Sequence, residues 1–244
     1  MSVSAPVITP GRQGYLYWTI EDRILMQKLL FRWLGWCPGA LGLILRQKIY
    51  PLLLGHCGRN VLFGRYITFY NPAGIHIGDN AVIGDFVSID ARRLEVGASL
   101  VRIGAEVFLG TGTKLRSKGK EIDIGKGSSL GSFCRVCSEH RVTIGRNVLA
   151  AAFCRFGRVP LGRQNRPPAK GNFTQDQDLA IVVGQGCWLG VRSYLAPGVR
   201  IGQGTVIGAH SVVLHSLDEY VVAVGRPAET MYHRQSAEGG GVEK

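Results

Sequence analysis

The hydrophobic pattern of this chain is dominated by an aliphatic residue followed by glycine, recurring in runs at six-residue spacing. The pairs of this form are Ile77-Gly78, Ile83-Gly84, Ile103-Gly104, Leu109-Gly110, Ile124-Gly125, Leu130-Gly131, Ile144-Gly145, Val183-Gly184, Leu189-Gly190, Ile201-Gly202 and Ile207-Gly208. An amphipathic helix repeats at about 3.6 residues and a flat strand at about two, so neither accounts for a period of six. The pattern therefore predicts a repeat architecture.

A period of six is typical of a triangular coil in which each unit is a short strand plus a tight corner. The aliphatic residue points inward, and the small residue after it rounds a corner where a side chain would clash or a positive φ is needed. Intervals of 83 to 103, 103 to 124, 124 to 144 and 183 to 201 are interpreted as coils of 18 residues plus corner insertions. We therefore predict an all-β, left-handed parallel β-helix. The alternative is a glycine-rich sandwich with accidental spacing.

Three segments are expected along the chain. Residues 1–60 form an apolar helical N-terminal extension, 61–216 form the β-helix, and 217–244 form a C-terminal extension. The interval from 144 to 183 is too long for one coil, so a loop at about 157–179 is expected to be extruded from the prism.

The N-terminal extension is rich in leucine and tryptophan. Its charge-free part, from Trp33 to Leu45, is shorter than the roughly 20 residues that a membrane-spanning helix needs. Pro38-Gly39 divides it, so two short helices are expected. Residues 24–54 either lie in a membrane interface or cover the open end of the β-helix, and the two roles are compatible.

Composition narrows the class of protein. A hydrophobic share of 45% does not suit a disordered chain, and the net charge of +12 favours an anionic partner. No nucleic-acid-binding motif accompanies the charge, so membrane lipid, an acidic carrier protein or a nucleotide-bearing cofactor remain. The first twenty residues do not have the pattern of a secretory signal, and the six cysteines have no even disulfide spacing. We expect a cytoplasmic protein, with association to the inner face of the membrane left open.

Cys134 and Cys137 form a CxxC with His140 close behind, which hints at zinc. A second ligand pair at a usable spacing does not follow, so no metal is expected. A γ-class carbonic anhydrase needs three zinc histidines from two subunits and is discounted, because only His140 lies near a plausible position.

The chain from about 61 to 234 resembles the hexapeptide-repeat acyltransferases. The strongest match is VGQGCWLGVRSYLAPGVRIGQGTVIGAHSVV, starting at Val183, followed by DEYVVAVGRPAE, which ends at Glu229. The family signature Gly-Asn-Pro-Ala is Gly225-Arg226-Pro227-Ala228 here. The resemblance implies a homotrimer, active sites between neighbouring prisms, and coenzyme A lying along the groove between them.

Acyl transfer from a thioester requires a base, and histidine is the usual one. His140 lies four residues before the Ile144-Gly145 corner. This is similar to UDP-N-acetylglucosamine acyltransferase and the bacillosamine N-acetyltransferases, where that histidine is the base at the subunit interface. The acidic residue that often follows is Arg141 here, so Glu139 or a backbone carbonyl is expected to orient the imidazole. The alternative is a structural corner histidine. The remaining histidines are expected to be structural or surface residues: His56, His76, His210, His215 and His233.

Many relatives carry their catalytic histidine at the start of the extruded loop, but this sequence has no histidine between 141 and 209. Basic residues stand there instead, and arginine binds phosphate in a forked geometry. We expect the phosphate of an acceptor, such as a lipid-linked or nucleotide sugar, to be bound by Arg155, Arg158, Arg163 and Arg166.

The resemblance also suggests where the donor binds. Trp188, Arg192 and Arg226 match positions near the family's cofactor groove and its phosphates. Gly190 and Gly208 are candidates to offer backbone amides to the thioester carbonyl.

The leading hypothesis is therefore a coenzyme-A-dependent O-acyltransferase that moves an acyl group, expected to be acetyl, to a hydroxyl or amine of a sugar or related acceptor. A variant uses an acyl carrier protein as donor. The competing hypothesis is a catalytically degraded trimeric β-helix that serves as a binding or scaffold subunit.

Overall fold

The computed structural model describes residues 33–92, 100–117, 120–138, 140–157 and 179–234. Three sheets wind around one core, and from His56 to Val213 each successive strand belongs to the next sheet. The first sheet contains β1 (His56–Cys57), β4 (Ile75–Ile77), β7 (Val101–Ile103), β10 (Ile122–Ile124), β13 (Val142–Ile144), β16 (Ile181–Val183) and β19 (Arg200–Ile201). The second contains β2 (Leu62–Phe63), β5 (Val82–Ile83), β8 (Phe108–Leu109), β11 (Ser129–Leu130), β14 (Leu149–Ala150), β17 (Trp188–Leu189), β20 (Val206–Ile207), β22 (Val221–Gly225) and β23 (Ala228–His233).

The third sheet contains β3 (Thr68–Tyr70), β6 (Ser88–Asp90), β9 (Lys114–Ser117), β12 (Arg135–Ser138), β15 (Arg155–Phe156), β18 (Tyr194–Leu195) and β21 (Val212–Val213). The pairings are parallel except between β22 and β23, which form an antiparallel hairpin beside the last coil. A short 3₁₀ helix spans Pro72–Gly74.

The inward aliphatic residues stack in register, as the six-residue period predicts. Ile103, Ile124 and Ile144 form one column of the first sheet, and each is at most 2% exposed. In these three strands alternation is strict, with the outward neighbour of each inward residue accessible to solvent. The predicted parallel β-helix is confirmed.

One predicted coil length is wrong. Ile83 and Ile103 lie on different sheets, because Ile103 pairs with Ile77 and Ile83 pairs with Leu109. The interval from 83 to 103 is therefore not a coil. An insertion that includes residues 93–99 hides the phase of the repeat, so spacing alone cannot assign the sheet.

Every insertion between Ile77 and Val183 falls on one edge of the prism, where the third sheet leads to the first. Within a coil, the steps from the first sheet to the second and from the second to the third are six residues, as from Ile103 to Leu109 to Leu115. The step back to the first sheet is longer, for example nine residues from Leu115 to Ile124. We call this the insertion edge.

The coil begins earlier than the predicted boundary at residue 61. His56–Cys57 already pairs with β4, so Cys57 occupies the position that an aliphatic residue fills in later coils. The cysteine hides this unit from a search for aliphatic-glycine pairs. At the other end, β22 continues the second sheet beyond residue 216.

The N-terminal helix α1 (Gly39–Leu53) covers the first coil, and residues 33–36 are also helical. Pro38 stands at the start of α1, so the described part of this segment has a helical piece on either side of Pro38, as predicted. The buried side chain of Arg46 joins these pieces to the prism. Its guanidinium donates to the carbonyl oxygens of Leu34 at 3.0 Å and of Cys37 at 3.1 Å, and Nε donates to that of Phe63 at 3.3 Å.

Tyr50 fills the interface between α1 and the first coil. It is 0% exposed and meets Phe63 and Phe69 edge to face at 5.2 and 5.5 Å. Burial raises the pKa of Tyr50 to about 12, although the charge of Arg46 acts in the opposite direction. The phenol is therefore held in its neutral form.

The free energy of unfolding should consequently fall at high pH, because Tyr50 ionises there. A folded-state pKa above the unfolded value stabilises the protein below about pH 10, and that stabilisation is lost as pH rises towards about 12. A difference of two units corresponds to at most about 2.7 kcal/mol. Urea unfolding between pH 8 and 12 measures the loss. Tyr50→Phe should flatten it, and an equal alkaline loss in the variant would contradict this cause.

Candidate functional site

His140 lies on the insertion edge, between β12 and β13. It stands two residues before Val142, which pairs with Ile122 of the preceding coil and Ile181 of the following one. Leu179 stands in the same way before Ile181, so His140 and Leu179 occupy equivalent positions one coil apart. The predicted base therefore lies one coil below Leu179, the first residue described after 157.

Both flanks of that interval are fixed to the next coil. The amide of Gly157 donates to the carbonyl of Leu195 at 3.0 Å, and the amide of Gly198 donates to the carbonyl of Leu179 at 3.0 Å. Gly157 and Leu179 therefore both occupy positions in the coil. Residues 158–178, where the sequence predicts an extruded loop, lie outside the described residues.

A carboxylate of the preceding coil pairs with the cation next to His140. The guanidinium of Arg141 forms an ion pair with the carboxylate of Glu121, which also lies 3.7 Å from Arg102. His140 itself is half-buried. Arg141 takes the place of the acidic residue that the family resemblance leads one to expect, and Glu121 neutralises it.

Four of the predicted site residues lie outside the described residues. They are Glu139, Arg158, Arg163 and Arg166. Their roles in orienting the base and binding the acceptor stay predictions.

The candidate donor-binding residues lie elsewhere, on the second sheet and at its edge with the third. Trp188 points outward from β17 and is 53% exposed. Arg192 lies at the following corner, with its guanidinium carbon 5.5 Å from the ring centroid of Phe153. Nε of Arg226 donates to the carbonyl of His210 at 2.7 Å, which draws the β22–β23 turn against the same edge.

The predicted role of two glycine amides is wrong. The amide of Gly190 donates to the carbonyl of Ile207 at 2.7 Å, and the amide of Gly208 donates to the carbonyl of Ala223 at 2.9 Å. Both donors are used to join coils, so neither is free for a thioester carbonyl. Such glycines instead allow close approach, since a Cβ on Gly190 would lie 2.4 Å from the amide nitrogen of Ala209.

Within one chain, the structure does not bring the base and the donor candidates together. His140 lies where the third sheet leads to the first, whereas Arg192 and Arg226 lie where the second leads to the third. The full width of the third sheet separates the two edges.

The outer surface of the third sheet carries basic residues that sequence reasoning missed. Arg155 was predicted, and the register places Arg135 and Lys114 directly beneath it, with Tyr194 above. All three cations are exposed. In the sequence, each of these cations stands two residues after the corner residue of its coil. They therefore occupy the same position in successive coils.

The CxxC motif does not form a joint metal site. Cys134 is 0% exposed, and its thiol donates to the carbonyl of Ala151 at 3.1 Å, whereas Cys137 lies on the strand opposite Arg116. Across the described ranges, no three His, Cys, Asp or Glu side chains are grouped so that they could hold a metal ion.

Comparison with known proteins agrees with this architecture. Residues 180–215 match the family model for bacterial transferase hexapeptide (six repeats). The chain is 31% identical over 136 residues to the putative lipopolysaccharide biosynthesis O-acetyl transferase WbbJ of Escherichia coli, covering 53% of this chain and 69% of WbbJ. It is 48% identical over 58 residues to the putative colanic acid biosynthesis acetyltransferase WcaF of Escherichia coli, covering 24% of this chain. That match spans only 32% of WcaF.

Two solved structures show the same fold at low sequence identity. A point mutant of AntD, an N-acyltransferase from Bacillus cereus, has a TM-score of 0.52 at 22% identity, with 78% of this chain and 89% of AntD covered. The polySia-specific acetyltransferase NeuO has a TM-score of 0.51 at 17% identity, with 75% and 85% covered. The chain forms a three-sheet coil, matches the repeat model, and aligns with more than two thirds of the length of a relative. It therefore belongs to the hexapeptide-repeat acyltransferase family.

Proposed function

We propose that this protein transfers an acetyl group from acetyl-coenzyme A to a hydroxyl of a sugar, with His140 as general base. The observation that carries the proposal is the position of His140, one coil below Leu179 on the insertion edge. The names of two relatives support the choice of acceptor: WbbJ is named for lipopolysaccharide biosynthesis and O-acetyl transfer, and WcaF for colanic acid biosynthesis and acetyl transfer.

The chemistry requires one proton acceptor. The imidazole of His140 takes the proton of the acceptor hydroxyl as its oxygen attacks the thioester carbonyl carbon. When the carbon–sulfur bond breaks, the same imidazole returns the proton to the departing thiolate. The ester product and free coenzyme A therefore balance the reaction.

We further propose that the active unit is a homotrimer. Since the base and the donor candidates lie on different edges of one prism, a complete site needs the insertion edge of one subunit against the second–third edge of its neighbour. A head-to-tail contact of this kind closes into a ring. Trp188, Arg192 and Arg226 of one subunit would then hold coenzyme A opposite His140 of the next.

Turnover tests this function. The purified protein is incubated with acetyl-coenzyme A and a panel of sugars, and release of free thiol is followed in the presence and absence of each sugar. We expect sugar-dependent thiol release together with an O-acetylated product by mass spectrometry. Failure to use the thioester with every sugar would instead favour a scaffold subunit.

We also propose that α1 lies on an anionic membrane surface. Its prism-facing side is buried through Arg46 and Tyr50, but its outer side and the helical piece at 33–36 leave large apolar residues exposed. These are Trp33, Trp36, Leu41, Leu43, Ile44 and Leu52, from 37% to 83% exposed. The sequence has no Asp or Glu from 33 through 78, so the patch suits an anionic surface. Within the described ranges, no helix is long and apolar enough to cross a membrane.

Flotation with vesicles tests the membrane contact. Replacing both Trp33 and Trp36 with serine should weaken binding to phosphatidylglycerol vesicles about tenfold or more, since burying one large apolar side chain contributes about 1.5–3 kcal/mol. Trp188→Ser removes a similarly exposed tryptophan from the prism wall and should leave flotation unchanged. Equal losses in the two variants, or no binding by the parent protein, would count against the proposal.

A further inference from the structure

Three cations stand in register along the outside of the third sheet. Lys114 pairs with Arg135, which pairs with Arg155, and strands in a sheet are about 4.8 Å apart. Like charges placed directly opposite each other destabilise a sheet. We call Lys114, Arg135 and Arg155 the cation column.

The cation column has no ion-pair partner among the described residues. In the neighbouring column on the same sheet, a carboxylate pairs with the positive charge. There, Asp90 lies 3.6 Å from Arg116 and 2.7 Å from Arg92. Burial acts to raise the pKa of Asp90, but hydrogen bonds from Arg92 and the charges of both arginines outweigh it, so the pKa is lowered. Within the described part of the sheet, the fold therefore supplies a carboxylate to one column and leaves the other as a row of positive charge.

Aromatic side chains border the cation column on one side. Phe133 and Phe153 stack with centroids 5.3 Å apart, and are 49% and 43% exposed. Both adopt positive φ, at 59° and 62°, which is unfavourable for a bulky residue. Gly112 meets the same backbone requirement one coil earlier. Stacked aromatic rings therefore line this corner beside the column.

On its other side the column leads to the proposed base. Arg135 begins β12, and Ser138 ends it roughly 10 Å away, at about 3.3 Å per residue. His140 follows at the insertion edge. A group bound on the column can therefore extend along β12 towards the imidazole.

We propose that the cation column binds the diphosphate of an activated sugar, carried by a nucleoside or by a polyprenyl chain. The inference rests on the proposed function, because the attached sugar is the acceptor that reaches His140. Two linked phosphates match a row of cations with one coil spacing between neighbours, and arginine forks suit phosphate oxygens. The bound diphosphate supplies the negative charge that the column lacks.

Calorimetric binding without turnover tests this site. UDP-glucose and farnesyl diphosphate, and in a separate series coenzyme A, are titrated into the parent protein, Arg135→Gln and Arg146→Gln. Arg146 is an exposed guanidinium on the edge between the first and second sheets, so its variant makes the same charge change off the column. We expect Arg135→Gln to raise Kd about tenfold, as for loss of one charge-assisted hydrogen bond, and Arg146→Gln to leave it within about twofold.

The two ligands distinguish the carriers, and binding of either one that depends on Arg135 supports the site. An unchanged Kd in Arg135→Gln would overturn it. So would a loss confined to coenzyme A, because the column would then serve the donor, or a change of oligomeric state by light scattering, because the column would then serve subunit contact. If diphosphates bind as expected but thioester is never consumed, the proposed acetyl transfer fails and the binding site stands.

Discussion

Replacing His140 with alanine is expected to lower kcat for sugar acetylation by about 10²- to 10⁴-fold, the usual contribution of a general base. The KM for acetyl-coenzyme A should change little, since the imidazole acts on the acceptor hydroxyl. Steady-state thiol release at saturating acetyl-coenzyme A measures the effect. It is the largest change that a single substitution in this chain should produce in activity.

A matched variant and a stability measurement separate this role from a structural one. His215→Ala removes an exposed histidine near the end of the coil and should leave kcat within about twofold. If His140 only supports the corner, His140→Ala would lower the unfolding midpoint in urea and leave kcat of the folded fraction intact. That outcome would remove His140 as the base.

Ile124→Ala should give the largest loss of stability, about 2–5 kcal/mol, as for removal of a buried aliphatic side chain. Ile124 is 0% exposed and lies between Ile103 and Ile144 in the inward column. The cavity would remove contacts in three successive coils, and the rigid stack limits relaxation. Urea unfolding at fixed protein concentration measures the free energy of unfolding.

The adjacent outward residue provides the control. Asp123 precedes Ile124 on β10 and points away from the core, so Asp123→Ala should change the free energy of unfolding by about 0.5 kcal/mol or less. Comparable losses in the two variants would contradict the inward–outward alternation on which the β-helix depends.

The sequence predicted the coil well wherever its units were of the aliphatic-glycine type. Ile103, Ile124 and Ile144 fall in one column as expected. The aliphatic-glycine pattern does not detect the unit at Cys57, because a cysteine fills the inward position. It pairs Ile83 with the wrong neighbour, because an insertion changes the phase of the six-residue repeat. A local repeat fixes which side of a strand faces the core, but not how many residues a corner adds.

The candidate site was predictable only in part. His140 was singled out by its spacing from the Ile144-Gly145 corner, and the structure places it one coil from Leu179. Arg135 and Lys114 were missed, since they join Arg155 only when coils stack. The amide of Gly190 seemed available in the sequence, yet the next coil uses it.

By itself, then, the sequence determined the period, the inward residues and the positions where the chain departs from the coil, because burial of aliphatic side chains at every sixth position is a local constraint. Only the tertiary structure decided that insertions share one edge, that the base and the donor candidates lie on two edges, and that three cations align on one sheet. Those arrangements depend on the register between strands some 20 residues apart, which is set by backbone hydrogen bonds between coils and not by any residue alone.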